Sequence, residues 1–238
     1  MRLFIGNKNY SSWSLRPWLL MRHTGIAFDE VQLRLDFSEG STFKSTVAGV
    51  SPAGKVPVLV EADGFAVWDT LAIAEYLAEK FPQHALWPLD RQRRARARSL
   101  SAEMHGGFTA LRQHCPMNIE ADLPEVGQRL LDEFPAVGSD LTRIGDMWRE
   151  ARVQSGGPFL FGDFSIADAY FAPVCSRIQT YGLPIAPEAP EVRDYVDLIL
   201  GLPAMQAWRE SACLEHDFIA EDEPYRDAPT AAGKAGRA

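Results

Sequence analysis

A chain of 238 residues, 46% of them hydrophobic, can bury a substantial core, and its length suits two small domains better than one large one. A formal net charge of -8 excludes the broad basic footprint of a nucleic-acid or anionic-membrane binder and leaves room for a local cationic site aimed at a small anion. Cys115, Cys175 and Cys213 are widely spaced and form no CxxC pair, which argues against a disulfide framework and against a zinc site.

The opening Met1-Arg2-Leu3-Phe4-Ile5 turns polar at Gly6-Asn7-Lys8-Asn9, too short for the apolar part of an export signal. No run of about 18 apolar residues follows, so a cytoplasmic protein without a membrane span is expected.

Residues 2–5 read as a short apolar strand. The pattern over 15–23 predicts a helix stopped at Thr24-Gly25, glycine being the usual residue just past a helix end. Val31, Leu33 and Leu35 then alternate with Gln32 and Arg34, which is strand periodicity, and strand, helix, strand implies a parallel pair with a right-handed crossover. After a less regular stretch containing Phe43 and Lys44, Ser51-Pro52-Ala53-Gly54 marks a turn before a third strand at 56–60. Glu61-Ala62-Asp63-Gly64 is a hairpin turn into a fourth strand at 65–68, and a helix over 69–80 closes the unit. The order βαβ, connection, ββα is the thioredoxin topology.

Residues 81–88 carry Pro82 and Pro88 and read as a linker. Beyond it strand alternation is absent. Helices are predicted over 91–113, 123–153 with a break near Pro135 or Gly138, 165–181, 192–200 and 204–211, giving an all-helical second domain over 89–220. From Glu221 to 238 the chain is polar and then rich in Ala, Gly and Pro, the composition of a mobile tail.

Pro17 fits a helix best within its first turn, so Ser11 and Ser12 are expected to precede the helix, beside N-H groups and a dipole that favour negative charge. The same serines also suit plain helix capping. Pro57 opens a strand and forces Val56 extended, leaving Val56 main-chain groups in want of a partner that an extended peptide ligand can supply. Asp69 and Thr70 begin the next helix; they can cap it, or hold a ligand's ammonium and carboxylate.

Other features read as structural. Arg91, Arg93, Arg94, Arg96 and Arg98 wind around most of a helix as solvated or interface charge, and His105 lacks a second histidine at metal-binding spacing. Met104, Phe108 and Arg112 recur at i, i+4, i+8, a spacing that serves a core or one wall of a pocket.

Taken together, Gly54-Lys55-Val56-Pro57-Val58-Leu59 and Asp69-Thr70-Leu71-Ala72-Ile73-Ala74-Glu75-Tyr76-Leu77 are similar to the glutathione site of the glutathione transferase superfamily. Phe164-Ser165-Ile166-Ala167-Asp168-Ala169-Tyr170 resembles the capping box and staple of a buried helix in that superfamily's C-terminal domain, which makes Asp168 a folding residue. The resemblance implies an α/β thioredoxin-like N-terminal domain (βαβ-α-ββα) over 1–80, an all-α C-terminal domain and a twofold homodimer.

By the same resemblance Ser11 hydrogen-bonds the glutathione sulfur with Ser12 beside it, Trp13 lies at the site, and Val56, set by Pro57, pairs with the cysteinyl unit. Asp69 and Thr70 anchor the γ-glutamyl end, and Lys55 and Lys44 neutralise the glycyl carboxylate. Met104, Phe108 and Arg112 are placed in the pocket of an electrophilic small-molecule acceptor, and no metal is required. The serine stretch is nearest the zeta-like pattern Ser-Ser-Cys-Ser-Trp-Arg, but Trp13 stands where that pattern has cysteine and Leu15 where it has tryptophan. The implied activity is attack of the glutathione thiolate on an electrophile, a detoxification chemistry. A glutathione-dependent isomerase of the maleylacetoacetate type, a peroxidase, and a non-catalytic binding protein of the same fold are the alternatives.

Overall fold

The structure is a computed structural model that describes residues 1–227. Its first half is a four-stranded sheet with helices around it. β1 (Arg2–Ile5) leads into α1 (Ser12–Thr24) and returns as β2 (Asp29–Gln32), parallel to β1 with Arg2 opposite Asp29 and Ile5 opposite Gln32. α2 (Thr42–Ala48) fills the connection, and β3 (Val58–Val60) and β4 (Ala66–Trp68) add antiparallel pairs in the order β2-β1-β3-β4 before α3 (Thr70–Lys80).

The second half is helical among the described residues: α4 (Arg91–Gly106), α5 (Thr109–His114), α6 (Pro124–Glu133), α7 (Pro135–Ser155), α8 (Ile166–Tyr181), α9 (Pro190–Leu200) and α10 (Pro203–Glu215). α8 is buried along nearly its whole length and packs on α1, α4, α6 and α9, so one apolar core runs through both halves. Its start is a capping box in which Asp168 accepts from the Ser165 N-H at 2.9 Å and the Ser165 hydroxyl at 3.0 Å. Leu160 N-H and the Tyr195 hydroxyl complete the set, so this acid ties three segments of the helical half together.

Five sequence expectations are corrected. α1 starts at Ser12, so Ser12 lies inside the helix and Pro17 in its second turn. The carbonyl Pro17 deprives of a partner, that of Trp13, takes the Thr70 hydroxyl instead. The irregular stretch around Phe43 and Lys44 contains α2, started by the Ser41 hydroxyl accepting from Lys44 N-H. β3 and β4 are shorter than their apolar runs and β2 lies at Asp29–Gln32, earlier than the alternation of Val31, Leu33 and Leu35, because pairing and not hydrophobicity sets strand ends.

The helix expected over 91–113 breaks at Gly107-Phe108. Gly107 lies where a Cβ would come within 2.7 Å of the Glu103 carbonyl oxygen, and Phe108 takes φ 52°. That break destroys the shared face of Met104, Phe108 and Arg112. The segment 221–227 is not a loose tail: Glu223 is buried and bonded to Tyr10 and Asn118, and the Tyr225 hydroxyl donates to the His114 carbonyl. The remainder of the expected tail, 228–238, lies outside the described residues.

Candidate functional site

A cavity of about 590 Å³ opens between the two halves, with Ser11, Ser12, Trp13, Lys55 and Val56 on one wall and Arg112, Met117 and Arg177 on the other. A volume of this size suits a small molecule.

Ser11 occupies the cap position of α1 and is 9% exposed. It does not cap by its side chain; its hydroxyl donates to the Ser14 hydroxyl at 2.7 Å, which also accepts from the Gly6 N-H at 3.1 Å. A hydroxyl has one proton and two lone pairs and rotates to suit its partners, so the Ser14 hydroxyl can equally donate to Ser11 and free the Ser11 proton for an anion in the cavity. The helix N-terminus beneath favours that anion further. Ser12 is the first residue of the helix, and its carbonyl accepts from Arg16 Nη1.

Two other hydroxyl or thiol chemistries are closed off. Tyr10 lines the cavity, but its hydroxyl lies 2.6 Å from Glu223 Oε1 and burial pushes its pKa up, so it remains a neutral phenol tied to the C-terminal segment. Burial pushes the Cys115 thiol up to about 12 and the Cys175 thiol well above its ordinary value, which keeps both unreactive near neutral pH.

Val56 has no main-chain partner among the described residues and enters Pro57 through a cis peptide bond. Its unpaired polar backbone on the cavity lining is the kind a peptide ligand pairs with. Lys55 beside it is exposed and forms no ion pair among the described residues.

Several expected site residues are not cavity walls. Lys44 and Pro57 lie off the lining, as do Asp69 and Thr70. Asp69, at φ 72°, caps α3 through the Leu71 and Ala72 N-H groups and faces His105 Nε2 at 3.4 Å. Thr70 is 2% exposed and gives its hydroxyl proton to the Trp13 carbonyl, so that proton is not available for a ligand carboxylate. Met104 and Phe108 are buried in the core and do not line the cavity, whereas Arg112 does. His105 sits against Trp13, its ring centroid 5.1 Å away, and near the Tyr170 hydroxyl.

The sequence reasoning overlooked Arg16 and Arg177. Both are fully buried and bonded to carbonyls, Arg16 to Tyr170 and Ser12, and Arg177 to Cys115 and Pro173. Burial lowers them to about 9 and about 10, so both remain cations at neutral pH. A signal was present: Arg177 is the one basic residue in the mostly apolar segment Ile166–Tyr181.

Comparison with known proteins bears on this geometry. Residues 10–80 match the family model described as glutathione S-transferase, N-terminal domain, and residues 95–211 match glutathione S-transferase, C-terminal domain. The chain is 28% identical over 211 residues to a maleylacetoacetate isomerase of Rattus norvegicus, covering 88% of this chain and 91% of that protein. It is 26% identical over 209 residues to a maleylacetoacetate isomerase of Pseudomonas aeruginosa, covering 87% and 94%. A Burkholderia glutathione transferase homolog solved with bound glutathione superimposes with a TM-score of 0.60 at 26% identity, over 89% of this chain and 96% of that one.

Proposed function

The chain belongs to the glutathione S-transferase superfamily, and from that premise we propose that it binds glutathione in the cavity between its halves and directs the thiolate onto a small electrophile. The observation that carries this reading is the meeting in one cavity of an unpaired main chain at Val56, just ahead of β3, with the Ser11 hydroxyl at a helix N-terminus. The first holds a peptide; the second stabilises its sulfur.

Free cysteine thiol has a pKa of about 8.5. A donated hydroxyl and a helix dipole lower that value and raise the thiolate fraction at neutral pH, so the protein supplies orientation and electrostatics while glutathione supplies the nucleophile. Lys55 meets the glycyl carboxylate. The γ-glutamyl end reaches past the cavity lining to the start of α3, where Asp69 receives the ammonium and Thr70 offers its backbone N-H, since its hydroxyl is engaged. The protein acts in the cytoplasm as a homodimer, in a detoxifying role.

A second reading, glutathione-dependent isomerisation, is favoured by the relatives named maleylacetoacetate isomerase and uses the same sulfur site. Calorimetric titration with glutathione, followed on the same sample by haloarene, hydroperoxide and maleyl substrates, tests the two together. Glutathione binding with haloarene turnover supports the transferase; turnover of the maleyl substrate alone favours the isomerase; failure to bind glutathione refutes both.

A further inference from the structure

The wall opposite Val56 has a charge problem. Arg177, 4% exposed, spends Nε on the Cys115 carbonyl at 2.7 Å and Nη1 on the Pro173 carbonyl at 3.2 Å. Arg112 spends Nη1 on the His105 and Gly107 carbonyls, both at 3.1 Å, and lays its guanidinium over the Trp13 ring at 4.9 Å. On neither residue does Nη2 have a protein acceptor among the described residues, and both side chains line the cavity. Arg16 lies over the same tryptophan, 4.3 Å from its centroid.

No carboxylate among the described residues pairs with Arg16, Arg112 or Arg177; the arginines instead lower one another. A buried cation without an anion is costly, and a protein of net charge -8 has acids enough to supply one. The one acidic side chain on the cavity lining is Asp222, and it forms no ion pair with Arg112 or Arg177 among the described residues.

We propose that Arg112 and Arg177 form an anion subsite for the acceptor substrate, so that the electrophile this enzyme takes carries a carboxylate held by the free guanidinium nitrogens of α5 and α8 while its reactive carbon faces Ser11. This rests on the glutathione-transferase reading and adds the substrate class. Arginine suits the task because its planar fork meets both oxygens of a carboxylate, and a site built to bond a charged group rejects analogues without it. Lys55, on the opposite wall, remains for the glycyl carboxylate, so the two anions have separate partners.

The test uses a matched pair of electrophiles, chlorodinitrobenzoate and its methyl ester. In each, the glutathione sulfur forms a bond to the ring carbon, chloride leaves with the bonding electrons, and the thiol proton passes to solvent. The quantity read is the ratio of kcat/KM for acid to ester, in the intact protein and in Arg112→Gln, Arg177→Gln and Arg177→Lys, with Arg93→Gln outside the cavity as the charge-loss control. The intact protein is expected to favour the acid at least tenfold; either glutamine variant is expected to cut the ratio about tenfold or more, Arg177→Lys to retain part of it, and Arg93→Gln to leave it alone.

Binding of unreactive dinitrobenzoate against dinitrobenzamide, by calorimetry with S-methylglutathione saturating the sulfur site, reads the same preference without turnover and covers a variant that folds poorly. A ratio near or below one in the intact protein, or one unmoved by both glutamine substitutions, overturns the proposal while ester turnover leaves the transferase reading standing. Equal loss of glutathione affinity in both glutamine variants also overturns it, by assigning the arginines to glutathione itself. If the intact protein does not bind S-methylglutathione at all, the transferase reading fails first and this proposal falls with it.

Discussion

The Thr70 hydroxyl donates to the Trp13 carbonyl across 3.2 Å, and that carbonyl is free because Pro17, four residues on, has no N-H to give it. One bond therefore fixes the start of α3 to the start of α1, the two helix ends that carry the proposed glutathione anchors.

Thr70→Val keeps the shape and removes the donor, leaving a partly buried acceptor unpaired. The expected cost is about 1–3 kcal/mol of folding stability, read as a lower denaturant midpoint. Glutathione affinity is expected to fall less than about tenfold, because the hydroxyl proton is already committed to the protein. A loss beyond that with an unchanged midpoint would assign the hydroxyl to the ligand.

Much of this arrangement was legible in the sequence. The order of elements along the first half, the helix over Thr70–Lys80 and the capping box at Ser165 follow from local periodicity and local hydrogen-bond chemistry, which a short window of residues contains. The Thr70 bond to Trp13, the pairing of Asp69 with His105 and the docking of Glu223 on Tyr10 join residues far apart in the chain, and nothing near any of them announces the partner. The Gly106-Gly107 pair is a local break signal beside which the i, i+4, i+8 spacing of Met104, Phe108 and Arg112 does not hold. Arg177 escaped because a lone cation in an apolar helix has meaning only once a cavity is seen beside it.

Asp168 sets a pH dependence of stability. Burial outweighs its four hydrogen bonds and pushes its carboxyl up from 3.8 to about 6. Since the folded value exceeds the unfolded one, the stability this group contributes is full below about pH 4 and is lost as pH rises through about 6. Asp168→Asn does not titrate, so its stability relative to the unmodified protein should improve on the order of 2–3 kcal/mol between pH 4 and 7. Parallel denaturant midpoints of the two proteins across that range would contradict this.

Gly127 marks the closest approach of α6 to α8. A Cβ there would sit 1.8 Å from the Tyr181 carbonyl oxygen, and a backbone atom cannot swing aside as a side-chain end can. Gly127→Ala should push the two helices apart at a cost of about 1–3 kcal/mol or more, seen in thermal or denaturant unfolding. An unaltered transition would mean that the crossing is looser than it stands here.

Ser12→Ala should slow haloarene conjugation less than Ser11→Ala, because Ser12 lies in the helix and only Ser11 is coupled to the Ser14 hydroxyl and the Gly6 N-H. Initial rates at saturating glutathione compare them. The reverse order would move the sulfur contact to Ser12.

The central claim is that the Ser11 hydroxyl stabilises a bound glutathione thiolate, and the pKa of the bound thiol, followed by ultraviolet thiolate absorbance against pH, tests it most directly. The protein is expected to hold that thiol at least one pKa unit below its free value of about 8.5, with Ser11→Ala returning it most of the way at nearly unchanged glutathione affinity. A bound thiol that titrates at the free value, or one that stays equally depressed in Ser11→Ala, would contradict the account.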